Sequence, residues 1–258
     1  MSTIERVLLG VDVLNYVLPQ GIPRNSFIIL AGEGGSGKSV LVTHIAKSFL
    51  ERNEEVLYVS LDDDPITIAM QFSSFGIDIA RYIESKKLLI VDGFGFRIRG
   101  RKERLHEAVI EEVNPQEPDH VLYTIARILD EYDIKNRGIV VIDSINEFLS
   151  YQDPIKVVEF IKNTRANVSK ARNVIVLAIL HTSTEDLKQL ASSIEHLVDG
   201  FILTETVVQH PVAGEIPLAL RQLLVKKMKG VSHRINWTLY TIDKEGIKPV
   251  IVRIGEAS

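Results

Sequence analysis

The sequence contains no cysteine. That absence excludes disulfides, thiolate metal sites and cysteine nucleophiles. Long apolar runs are missing too: the longest, near Val174–Leu180, has the length of a strand rather than of a membrane span. The opening residues lack the basic region and apolar core of a signal peptide, so a cytoplasmic location and no membrane partner are expected. Net positive charge is also absent. Lysine and arginine number 30 against 34 aspartates and glutamates, a formal charge of −4. Proteins that coat nucleic acid by bulk electrostatics are basic, so any DNA or RNA contact here must use a local patch. The seven histidines show no H-x-x-x-H spacing, which argues against a zinc site. There is no internal repeat, low-complexity tract or linker. What remains, 45% hydrophobic and 25% charged over 258 residues, is the composition of an ordinary globule, and one domain over 1–258 is expected.

One stretch organises the rest. Gly32-Glu33-Gly34-Gly35-Ser36-Gly37-Lys38-Ser39 fits the pattern G-x-x-x-x-G-K-[ST]. An apolar, β-prone run, Phe27–Ala31, precedes it, and a helical stretch with Leu41, Ile45 and Phe49 at helical spacing follows. A strand that delivers a glycine loop to a helix N-terminus makes a phosphate cradle. The glycines let the backbone wrap the anion, and the first free amides of the helix face it. Gly34, Gly35, Ser36 and Gly37 would line the cradle, Lys38 would reach the β- and γ-phosphates, and the Ser39 hydroxyl would ligate Mg²⁺. Ile139-Val140-Val141-Ile142-Asp143 reads as a buried parallel strand ending in a carboxylate, and Asp143 would hold the Mg²⁺ shell. ATP and Mg²⁺ are the expected cofactors.

Further strands are expected at 55–61, 88–91, 173–180 and 200–206, with helices over 66–75, 121–132, 154–170 and 185–195. The strand at 55–61 runs into Asp62-Asp63-Asp64-Pro65. Open α/β sheets bind ligands at the carboxyl ends of their strands, so these carboxylates are candidates for a general base, or else a helix cap facing solvent. By the same rule His181, or Thr182 beside it, could sense a γ-phosphate. The irregular stretch from Phe94 to Asp119 carries Arg97, Arg99, Arg101, Lys102 and Arg104, either a solvated charged loop or a contact for a polyanion or acidic partner. The C-terminal part, with runs at 217–229, 235–242 and 248–254, suggests antiparallel strands on one edge of the sheet. Lys227 and Lys229 would share one face at a strand tip, with Met228 on the other.

These pieces together resemble the RecA-like ATPases, specifically the single-domain archaeal KaiC-like proteins and the recombinase (RadA) paralogues. The resemblance runs from about Leu9 to Ile254. It rests on the lead-in Leu9-Gly10-Val11-Asp12-Val13-Leu14 with Gly21-Ile22-Pro23-Arg24, on Val59-Ser60-Leu61-Asp62-Asp63, on Ser74-Phe75-Gly76-Ile77-Asp78, and on Lys227-Met228-Lys229-Gly230-Val231-Ser232-His233. It implies a RecA-like α/β core, mostly parallel with antiparallel C-terminal strands, ATP hydrolysis, and often a ring of subunits with nucleotide between neighbours. Asp62 would stand where the family has its general-base glutamate, with Asp63 beside it. Lys227 and Lys229 would stand where a Lys-x-Arg or Lys-x-Lys pair reaches the neighbour's ATP. Aspartate in place of glutamate implies slow hydrolysis. Glu195 and His196 occupy the positions of the Ser-Thr pair that circadian-clock members phosphorylate, so autokinase activity there is not expected. The expected function is a Mg-dependent ATPase regulating a repair, recombination or signalling assembly. A homo-oligomer of the hexamer-ring type is expected, with single-stranded DNA or a protein as partner. The alternatives are a nucleotide-binding switch, or a DNA-binding recombination accessory, with negligible turnover.

Overall fold

The computed structural model describes residues 4–100, 103–150, 154–207, 219–243 and 246–250. In chain order the elements are β1 (Arg6–Val7), α1 (Asp12–Val17), β2 (Ile22–Pro23), β3 (Phe27–Gly32), α2 (Lys38–Glu51), β4 (Val56–Ser60), α3 (Pro65–Ser74), α4 (Ile79–Glu84), β5 (Leu88–Asp92), β6 (Val109–Glu112), α5 (Pro118–Glu131), β7 (Ile139–Asp143), α6 (Asn146–Leu149), α7 (Pro154–Thr164), β8 (Ile175–His181), α8 (Glu185–Ile194), β9 (Gly200–Thr206), β10 (Arg221–Met228), β11 (Thr238–Asp243) and β12 (Gly246–Pro249). β1 and β2 pair apart. The other strands form one ten-stranded sheet in the order β12-β11-β10-β9-β3-β8-β7-β4-β5-β6.

From β9 to β6 the neighbours run parallel, and β10, β11 and β12 are antiparallel. The central strands are apolar on both faces because both faces are covered. Alternate residues sort cleanly between two cores. Ile28, Leu30, Val56, Tyr58, Val141 and Leu177 pack with Leu41, Ile45 and Phe49 of α2. Phe27, Ile29, Leu57, Val59, Ile142 and Ala178 pack with Val121 and Ile125 of α5, Val157 and Phe160 of α7, and Ile194 of α8. Each Val, Leu, Ile or Phe among them contributes roughly 1.5–3 kcal/mol on burial. The doubly covered sheet fixes its strand ends, and the carboxyl ends of β3, β4, β7 and β8 form one rim.

The α/β architecture with antiparallel C-terminal strands agrees with the sequence. Some boundaries differ. The irregular stretch after Phe94 contains a strand, β6, at the sheet edge, and the helix expected over 154–170 leaves α geometry for a π turn at Arg165–Lys170. The strand expected at 217–229 begins at Arg221, that expected at 235–242 begins at Thr238, and the part of the last at 251–254 lies outside the described residues.

Candidate functional site

The loop from Glu33 to Gly37 joins β3 to α2. Gly37 has φ +91°, and a Cβ there would meet the Arg221 side chain at 2.9 Å and the Tyr240 hydroxyl at 3.1 Å, so only glycine fits. Gly34 and Gly35 are exposed, with nothing within 4 Å of where a Cβ would stand. No side chain caps α2, which leaves its first amides free for an anion. The loop is braced from β9, β10 and β11. Tyr240 donates to the Ser36 carbonyl at 3.0 Å, the Ser36 and Thr204 hydroxyls lie 2.9 Å apart, and Thr206 and Arg221 both donate to the Gly35 carbonyl at 3.4 Å. Lys38 is buried, and its ammonium donates to the carbonyls of Gly32 and Glu33 at 2.8 Å each. Burial pulls its pKa down to about 8, against the opposing charges of Asp143 and Glu33. Ser39, half-buried, is the second residue of α2.

Asp143 ends β7 and is buried. Tyr58 donates to its Oδ2 at 2.6 Å. Burial pushes its carboxyl up to about 7; Asp62 and Asp63 add to the rise, while Tyr58 and Lys38 oppose it. A buried carboxyl among other carboxylates is poorly stabilised without a cation.

The structure separates the three aspartates that follow β4. Asp62 turns into the rim: its amide and that of Leu61 donate to the Asp143 carbonyl at 3.2 and 2.6 Å, and Ser144 Oγ donates to its Oδ2. Burial raises its carboxyl, aided by the charge of Asp63 and opposed by hydrogen bonds with Ser144 and Glu147. Asp63 is exposed and stands outside that hydrogen-bonded group. Asp64 caps α3, accepting from the amides of Ile66 and Thr67 at 3.0 and 3.1 Å. His181 ends β8, with Nε2 3.6 Å from Asp62 Oδ2. Burial, then the charge of Lys38, lowers its pKa and favours the neutral ring. Asn146 clamps its backbone, accepting from the His181 amide at 2.7 Å and donating to its carbonyl at 3.0 Å.

Arg97, first of the basic run, is turned inward. It donates to the carbonyls of Leu61 and Gly93 at 3.3 and 3.0 Å and to Glu147 Oε2, so its charge is committed inside the protein rather than offered to a partner. Arg104 donates to the Val109 carbonyl at 2.8 Å, Arg99 is exposed, and Arg101 and Lys102 lie outside the described residues. Sequence reasoning missed Glu147, Arg221 and Tyr240. Glu147 lies within hydrogen-bonding reach of Asp62, and its carboxyl is raised by burial and by the Asp62 charge.

Lys227 and Lys229 lie at the other end of the sheet. Met228 pairs with Gly200, and Gly200 with Ile28, whereas the phosphate loop leaves β3 at Gly32 beside Thr204. Met228 packs under Gly200, as its opposite facing requires. The Lys227 ammonium donates to the Glu195 carbonyl at 2.8 Å, and Lys229 is exposed.

The family profile described as "ATPase: KaiC" matches residues 7–252. The chain belongs to the KaiC ATPase family. A UPF0273 protein of Methanopyrus kandleri is 25% identical over 245 residues, covering 95% of this chain and 92% of the relative. A UPF0273 protein of Pyrococcus furiosus is 27% identical over 244 residues, covering 95% and 93%. The crystal structure of a KaiC-like protein from Pyrococcus horikoshii superposes with a TM-score of 0.72 at 19% identity, covering 96% of this chain and all of that one, a likeness of fold. The matches carry the KaiC-like half of the sequence resemblance. Within the KaiC family frame, the rim of β3, β4, β7 and β8 is where this chain gathers Lys38, Asp62, Asp143 and His181. No helix among the described residues is long and apolar enough to cross a membrane.

Proposed function

We propose that this protein binds Mg-ATP at the loop Gly32–Ser39 and hydrolyses it slowly, as a homo-oligomer that regulates a repair, recombination or signalling assembly. The observation that carries the reading is an uncapped helix N-terminus behind open glycines, with the Lys38 ammonium and the Asp143 carboxyl converging beside it. In this reading the amides of Gly34, Gly35 and Gly37 bind the phosphates, and Lys38 leaves the carbonyls of Gly32 and Glu33 for the β- and γ-phosphates. Mg²⁺, held by Ser39 and Asp143, supplies charge neutralisation at the phosphates. Asp62 takes the proton of the attacking water, with Ser144 fixing its carboxyl, and His181 senses the γ-phosphate. Slow turnover follows from the short Asp62 side chain and its existing bond to Ser144. Those same two features favour the second reading, a nucleotide switch with negligible turnover. The inward Arg97 removes one cation from the DNA-binding reading.

The test is equilibrium ATP binding by Lys38→Ala. Binding should be lost while the fold, followed by circular dichroism, is kept. Wild-type affinity in that variant would overturn the assignment. ATP turnover with and without single-stranded DNA then separates the enzyme from the switch and the DNA accessory.

A further inference from the structure

The carboxyl ends of β4, β7 and β8 are neighbours, and they bring Asp62, Asp143 and His181 together. Each offers one ligand atom, and these atoms lie within 4.8 Å of one another. We infer that Asp62, Asp143 and His181 form a binding site for a divalent transition cation such as Mn²⁺, Co²⁺ or Zn²⁺, which fills in the absence of nucleotide. The site stands independently of ATP hydrolysis.

The donor set selects the class of ion. Mg²⁺ and Ca²⁺ take oxygen ligands, whereas an imidazole nitrogen joined to two carboxylates suits the first-row transition series. Ligand atoms sharing an ion at about 2.1 Å stand ~3.4 Å apart in tetrahedral geometry. His181 Nε2 and Asp62 Oδ2 are already at 3.6 Å, and Asp143, within 4.8 Å of both, would have to close to the same spacing.

The surroundings are those of a held site rather than of loose acidic side chains. The Leu61 and Asp62 amides tie the Asp62 loop to the Asp143 carbonyl, and Asn146 clamps His181 through both backbone groups. Tyr58 holds one oxygen of Asp143, and Ser144 holds one oxygen of Asp62. Such outer partners fix ligand orientation at metal centres. Asp62 Oδ1 is buried and receives no hydrogen bond, with Glu147 as the neighbouring carboxyl. The opposing group is Lys38, whose charge acts on both Asp143 and His181. It weakens cation binding, and removing it should strengthen that binding.

The experiment is a titration of nucleotide-free full-length protein with Co²⁺, read by visible absorption and by calorimetry. One Co²⁺ per chain is expected, with bands of mixed nitrogen and oxygen ligation. His181→Ala and His181→Gln should each lower the affinity by about tenfold or more, since loss of an outer partner alone reaches that size. Both variants keep the Asn146 clamp, which is made to the backbone, so folding is expected to survive and is checked by circular dichroism. Lys38→Ala should lose ATP and bind Co²⁺ at least as tightly as the wild type. The two activities thereby move in opposite directions, and failure of the nucleotide reading is distinguishable from failure of this one. No Co²⁺ binding at millimolar concentration, or binding undiminished by both His181 variants, overturns the proposal.

Discussion

The phenol of Tyr240 donates a hydrogen bond to the carbonyl of Ser36 at 3.0 Å, joining β11 to the phosphate loop across 204 residues of chain. The contact is buried, and the loop's shape thereby depends on strands that come last in the sequence. Tyr240→Phe keeps the ring and leaves the Ser36 carbonyl without its donor. A buried acceptor left unpaired costs about 1–3 kcal/mol. Urea unfolding should register that loss, and ATP affinity should fall several-fold as the loop loosens. Unchanged affinity and stability would show that Thr204, Thr206 and Arg221 hold the loop without Tyr240.

Asp62 and Asp64 stand in different surroundings within one acidic run, the first bonded to Ser144 and the second capping α3. Asp62→Asn removes the proposed base, and general-base assistance is worth ~10²–10⁴-fold in rate. Steady-state turnover should fall by that order while equilibrium ATP binding persists. Asp64→Ala removes a helix cap, which costs about 1 kcal/mol of stability, and turnover should be spared. Equal loss of turnover in both variants would show that the roles are not divided this way.

Asp199 gives the fold a pH dependence. Burial alone would push its carboxyl up, but hydrogen bonds from Arg165, the Phe27 amide and Lys170 outweigh it and hold the group below the usual carboxylate range. A depressed carboxylate contributes stability above its unfolded value, about 3.9, and loses it as pH falls through the lower folded value. Asp199→Asn should therefore cost about 3 kcal/mol at pH 7, the low end for a broken buried pair. The low end applies because the Arg165 and Lys170 side chains are 31% and 35% exposed. The stability curves of variant and wild type should converge below about pH 4. A difference that persists undiminished to pH 3 would assign the effect to packing instead of charge.

The parts of this molecule that the sequence disclosed are those whose physics is local. β3 and β7 are buried on both faces and read as unbroken apolar runs. The loop between β3 and α2 is legible because its closely spaced glycines break a strand before a helix, and Asp64-Pro65 is a helix start written in adjacent residues. What stayed hidden depends on partners far along the chain. β6 has only four residues at an edge and no period long enough to detect. Arg97 looked like part of a cationic run because the carboxylate that turns it inward, Glu147, lies 50 residues on. The bracing of the loop by Arg221 and Tyr240 exists only once β10 and β11 fold back beside β9.

Lys229, helped by Lys227, is expected to act on the ATP of a neighbouring subunit. Along β3, the four residues from Ile28 to Gly32 separate its level in the sheet from the loop, about 13 Å of strand. A lysine side chain does not span that gap, so its own site is out of reach. Lys229 is exposed at the strand tip before Gly230, while the Lys227 ammonium donates to the Glu195 carbonyl and would have to leave it to act as the second cation. Charge spreads over the γ-phosphate oxygens in the transition state, and a trans arginine delivered there gives ~10³–10⁵-fold in related enzymes. A lysine lacks the planar fork, so the gain should be smaller. Complementation by mixing measures it. Lys38→Ala subunits carry a dead loop with an intact Lys229, and Lys229→Ala subunits carry the reverse. Each alone should be nearly inactive, and the mixture should recover part of the turnover because some interfaces pair a good loop with a good lysine. No recovery in a mixture shown to co-assemble would place Lys229 outside the neighbour's active site. A protein that stays monomeric with ATP at working concentration would remove the neighbour altogether.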